Sequence, residues 1–103
     1  TEWQRLAATL AAGLDGIKKG LTPPAAINRN IYTMSPAERA AEGIDSLPHN
    51  LRDALRELEA DDVIRDALGE HIFNNVMEAK LIEWDIYRTQ VHQWELDQYL
   101  AIF

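Results

Sequence analysis

Large apolar residues open the chain at helical spacing: Trp3, Leu6, Leu10, Leu14 and Ile17 recur every three or four positions. They share one side of an α-helix, so a helix is predicted over 1–19. Ala7, Ala8, Ala11 and Ala12 strengthen it, and Gly13 and Gly16 allow a neighbour to approach closely. Lys18 and Lys19 suit its C-terminus and Gly20 its stop. The period is then lost. Pro23-Pro24 blocks a helix, and 20–34 reads as an extended connector.

The helical pattern restarts at Ser35, a candidate N-cap, with Pro36 at the first helical position and Glu38 completing a capping box. Gly43 ends this turn. After "IDSLPHN", Asn50 can cap a helix whose stripe is Leu51, Ala54, Leu55 and Leu58. "DDVIRDAL" follows up to Gly69, so short helices are predicted across 35–68. The longest element is predicted over 70–90, with Ile72, Phe73, Val76, Met77, Leu81, Trp84 and Tyr87 on a broad apolar face. A last short helix is predicted within the tail, 91–103. No stretch alternates as a strand would, and there is no repeat. The expected fold class is all-α: several short helices, one long helix and a C-terminal helical tail.

The end of the chain breaks the usual pattern. Termini are normally polar and frayed, yet "HQWELDQYLAIF" carries Trp94, Leu96, Tyr99, Leu100, Ile102 and Phe103. Something must cover them, either the chain's own core or another protein.

Composition narrows the partners. The 103 residues suffice for one small domain, and the 47% apolar content argues against disorder. The net charge is −7, and the 10 Lys and Arg are scattered. No basic stripe could follow a phosphate backbone, so no nucleic-acid partner is expected. There is no cysteine, hence no thiolate nucleophile or Cys-based metal site. No apolar run is long enough for a membrane span, and none is expected. The chain opens on Thr1 rather than Met, which reads as a cut inside a longer protein.

Candidate chemistry is sparse. His49, His71 and His92 stand far apart and miss the H-E-x-x-H spacing of a helical zinc site. His71 and Glu78, two turns apart, are the most metal-like pair, but a solvated His and a solvated Glu explain them better. "ELEADD" lacks the glycine-centred loop of a calcium site and reads as a solvated helix end. "AAGLDGIKKG" follows no strand and fits helix packing better than a phosphate loop. Ser35 and Ser46 have no histidine at a nucleophile's spacing. Tyr32 lies in the Pro-flanked connector, where a modifying enzyme could reach it, or where it could pin the loop to the helices.

Four blocks, "AATLAAGLDGIKKG", "NRNIYTMSPAERAAEGIDSLP", "LGEHIF" and "EAKLIEWDIYRTQVHQWELDQYL", resemble the C-terminal region of type I glutamine synthetases. The tail resembles the α subtype. The resemblance implies that 1–103 is the C-terminal helical part of the catalytic domain of an α+β ligase. It implies a cytoplasmic enzyme that joins ammonia to glutamate through a γ-glutamyl phosphate, using ATP and two divalent metals, Mg or Mn. It also implies a homo-dodecamer of two stacked hexameric rings. No position in this chain matches the family's metal-binding carboxylates or phosphate-binding arginines. The parent is therefore expected to be an enzyme. This stretch is expected to be non-catalytic, with no cofactor or metal residue of its own, serving fold completion and assembly.

Two positions carry expectations from the resemblance. The family's C-terminal thong implies that Trp94, Leu96, Tyr99, Leu100 and Phe103 dock on the facing ring. The alternative is that the tail folds back beside Trp84 and Tyr87. Asn30-Ile31-Tyr32 occupies the place of a tyrosine that is adenylylated in the β subtype, but the residues after it are α-like. Tyr32 is thus a position match only. Thr1-Glu2-Trp3-Gln4 stands where Asn-Pro-Tyr-Leu is usual, Thr9 where Met is usual, and Gln93 where Pro is favoured. The departure at residues 1–4 leaves room for a related γ-glutamyl-amine ligase acting on a polyamine or ethanolamine. A free-standing helical interaction module is the third reading.

Overall fold

The structure, a computed structural model, describes residues 2–102. Helix α1 spans Glu2–Lys18, α2 Pro36–Ala41, α3 Leu51–Ala60, α4 Asp62–Leu68, α5 Glu70–Tyr87 and α6 Gln93–Glu95. A 3-10 turn lies at Ile31–Thr33 and a π-helical turn at Leu96–Leu100. There is no strand among the described residues. The architecture is all-α, as the apolar spacing predicted.

Local chemistry sets most boundaries. At the end of α1 the Leu21 N–H donates to Gly16 O (3.0 Å) and the Gly20 N–H to Ile17 O (3.1 Å). That crossed pair needs a left-handed residue, and Gly20 supplies it at φ +62°. Gly43, at φ +71°, closes α2 in the same way through Ile44 N–H to Arg39 O (2.9 Å). The start of α2 is the predicted capping box. Ser35 Oγ accepts from the Glu38 N–H (3.2 Å), and Glu38 Oε2 accepts from the Ser35 N–H (2.8 Å). Asn50 Oδ1 caps α3 by accepting from the Asp53 N–H (2.9 Å).

The acidic run "ELEADD" has a structural role. Asp61 Oδ1 accepts from the Ile64 N–H (3.1 Å) and starts α4. Helix α5 stops at Tyr87, short of the predicted Gln90. Here Thr89 Oγ1 (2.8 Å) and Gln90 Nε2 (3.1 Å) both donate to Ile86 O. These side chains satisfy a terminal carbonyl that another turn of helix would otherwise have used.

The packing is thin. Helix α1 lies on α4, while α3 and α4 lie on α5. Among the described residues only Met34, Leu55 and Phe73 are buried, each 4% exposed. The Arg65 guanidinium sits 4.5 Å from the centroid of the Phe73 ring and roofs that contact. The radius of gyration is 18.7 Å, against about 13 Å for a compact domain of this length. The helices do not close around one core.

Candidate functional site

The tail is a short ribbon with its apolar side outward. Its polar groups satisfy each other locally. Glu95 Oε2 accepts from the His92 N–H (3.2 Å), and Asp97 Oδ1 accepts from Gln93 Nε2 (2.8 Å). These contacts turn the chain into α6 and then into the π turn. The Trp94 and Tyr99 rings meet edge-on with centroids 6.0 Å apart. Val91, Glu95, Leu96, Tyr99 and Leu100 frame a shallow groove of about 410 Å³.

Nothing among the described residues covers this ribbon well. Trp94 is 63% exposed, Leu96 36%, Tyr99 51%, Leu100 65% and Ile102 72%. The tail meets α5 where the His92 ring lies 5.5 Å from that of Tyr87, which in turn lies 6.1 Å from that of Trp84. The structure thus brings four of the five tail residues named from sequence onto one short segment. The fifth, Phe103, lies outside the described residues.

A second apolar surface was readable in the sequence as a face, but its exposure was not. Trp3, Leu6, Leu10, Leu14 and Ile17 are all exposed, and of these Leu14 and Ile17 border a hollow with Val63, Asp66 and Ala67 of α4. The half-buried residues of α1 include Gln4, Ala8, Ala11 and Asp15. At 3.6 residues per turn that stripe lies roughly 130° around the axis from the large side chains. The small residues, which allow close approach, face α4. The spacing of alanines at 8 and 11 was the available signal.

The remaining candidates are dispersed. Tyr32 is exposed on the 3-10 turn, which Asn30 Oδ1 starts by accepting from the Tyr32 N–H (3.1 Å). His71 Nε2 lies 3.3 Å from the Asn75 amide, one turn along α5. The His92 ring is tilted against that of Tyr87. His49 borders a polar hollow of about 740 Å³ with Asp45, Ser46, Asp53, Arg56 and Glu57. There Asp53 is already engaged by Arg56 (3.7 Å) and by Asn50 Nδ2 (3.2 Å). Ser35 is a helix cap. The Glu38 carboxyl is held below its ordinary value of 4.5, first by the Ser35 N–H and then by the Ser35 hydroxyl, with Arg29 adding to it. Arg29 reaches Glu38 at 3.3 Å and Glu42 at 3.9 Å and ties the connector to α2.

No group of three or more His, Cys, Asp or Glu among the described residues could hold a metal ion. No helix among them is long and apolar enough to cross a membrane.

Comparison with known proteins gives these surfaces a context. Residues 3–99 match the family described as glutamine synthetase, catalytic domain. The glutamine synthetase of Thermus thermophilus is 54% identical over 98 residues, covering 95% of this chain and 22% of that protein. That of Methanococcus maripaludis is 54% identical over 93 residues, 90% of this chain and 21% of that protein. That of Staphylococcus aureus is 52% identical over 98 residues, with 95% and 22% covered. The chain thus spans about a fifth of the length of the curated relatives it matches.

Proposed function

Because the chain belongs to the glutamine synthetase catalytic-domain family, we propose that it is the C-terminal helical part of a glutamate–ammonia ligase of type I, α subtype. The parent would be a cytoplasmic enzyme assembled as two stacked hexameric rings. It would activate glutamate with ATP as a γ-glutamyl phosphate, and ammonia would then displace the phosphate. The observation that carries this reading is the family match over nearly the whole chain. ATP and its divalent metals are proposed to be held by the part of the parent outside this chain, since no position here matches the family's metal-binding carboxylates or phosphate-binding arginines. No chemical step is assigned to His49, His71, His92 or Glu78.

The role assigned to this stretch is assembly. Burying four large tail side chains contributes roughly 6–12 kcal/mol, and ordering the segment removes much of that. One tail therefore holds weakly, while many tails in a closed symmetric assembly hold together by multivalency. Trp94, Leu96, Tyr99, Leu100 and Phe103 are the residues proposed to clasp the facing ring. Tyr32, exposed but followed by α-like residues, is proposed to be a loop residue and not a working modification site.

The test is an assay of phosphate release from ATP by the full-length parent, with glutamate and a panel of amines. Ammonia is expected to support turnover well above polyamines and ethanolamine. A preference for one of those amines would replace this reading with the γ-glutamyl-amine ligase, and no amine-dependent turnover would overturn both.

A further inference from the structure

We infer that the hollow between the end of α2 and the connector into α3 binds a small zwitterion, a molecule with one carboxylate and one ammonium group such as an α-amino acid. The inference does not use the ligase reading. Local chemistry builds the hollow. Gly43, at φ +71°, turns the chain out of α2, and the Ile44 N–H donates to Arg39 O at 2.9 Å. The residues after the turn are thereby held close to Arg39. Arg39, Ile44, Asp45, Ser46 and His49 line a hollow of about 490 Å³ there. Asp45, Ser46 and His49 also border the larger polar hollow beside α3.

The charged side chains on either side are already engaged. Arg29 holds Glu38 and Glu42, and Arg56 holds Asp53. Arg39, Asp45, Ser46 and His49 differ: among the described residues, no side-chain hydrogen bond or ion pair involves any of the four. Arg39 is half-buried, and its Nε is buried without an acceptor. A buried donor in that state costs free energy. The Arg39 side chain lines the hollow, so a turn of its flexible stem brings the guanidinium fork to a carboxylate held there, which accepts two N–H groups side by side. Asp45 decides the class of ligand. A simple anion at Arg39 would lie beside an unpaired carboxylate, and a simple cation at Asp45 beside an unpaired guanidinium. A zwitterion meets both with attraction and leaves no charge uncompensated. The Ser46 hydroxyl and the His49 ring remain to bond its other polar groups.

The test is equilibrium dialysis of the full-length parent against radiolabelled glycine, with acetate and methylammonium as competitors. Glycine binding is expected to weaken about 10-fold or more in Arg39→Gln and in Asp45→Asn, with circular dichroism unchanged. Acetate and methylammonium, each carrying half of the zwitterion, are expected to displace glycine only at about 10-fold higher concentration than unlabelled glycine does. If glycine does not bind, or binds both variants as well as it binds the parent and so lies elsewhere, the inference is overturned. Loss in Arg39→Gln alone marks a plain anion site, and loss in Asp45→Asn alone a cation site; either result overturns it as well. Should Arg39→Gln not fold, Asp45→Asn, an exposed change on the connector, and the two competitors decide the matter. Dialysis reads binding and not turnover, so an inactive parent would remove the proposed function and leave this result standing.

Discussion

The α3–α5 cluster and the tail both carry large apolar residues, but only the first buries any of them. Leu55 and Phe73 are each 4% exposed, whereas Trp94 and Leu100 are 63% and 65% exposed. The difference lies in length and neighbours. Helices α3 and α5 run 10 and 18 residues, long enough to lay a stripe along a partner. Helix α6 has 3 residues and the π turn 5, too short to carry an interlocking face. Apolar spacing tells which side of an element wants burial. It does not tell who buries it.

The comparison breaks most sharply by truncation on each side of it. Phe73→Ala removes a buried ring and its Arg65 contact, and is expected to cost about 3–5 kcal/mol. Trp94→Ala in the same separated chain is expected to change stability by no more than about 0.5 kcal/mol. Urea unfolding of the two variants checks this. A large loss for Trp94→Ala alone would mean that the tail packs on its own helices after all.

A smaller effect sharpens the same contrast inside α2, which rests on local hydrogen bonds and no buried side chain. Ser35→Ala is expected to cost about 1 kcal/mol of local helix stability, read from amide exchange at Glu38. The Glu38 carboxyl titrates below its ordinary value, so the capping box is favoured by its charged form. That contribution is present above about pH 4.5 and lost as pH falls through the lowered value. An NMR titration should place the Glu38 midpoint below 4.5, with the Ser35 amide shift following it. A midpoint at or above 4.5 would remove the proposed acid–amide coupling.

Capping chemistry was legible residue by residue. Ser35, Pro36, Glu38, Asn50 and Gly20 act locally, within a few positions of their partners, so sequence spacing alone locates them. The end of α5 was less legible. It depends on Thr89 and Gln90 choosing the Ile86 carbonyl over another helical turn, and both side chains are compatible with either outcome. The orientation of α1 was less legible still. Its leucines dominate any reading of periodicity, yet the stripe that includes Ala8 and Ala11 is the half-buried one, and the spacing of those alanines was the only signal. The tail was more legible: its large apolar residues at a terminus pointed to a cover outside this chain or to folding back beside Trp84 and Tyr87, and they are exposed here.

The central claim is that the uncovered tail holds an assembly together, and removing it is the most direct test. Full-length parent protein lacking residues 91–103 should be examined by native mass spectrometry beside the intact protein. The intact protein should appear as a dodecamer and the truncated one as hexamers, with each subunit still folded by circular dichroism. A truncated protein that remains dodecameric would contradict the account.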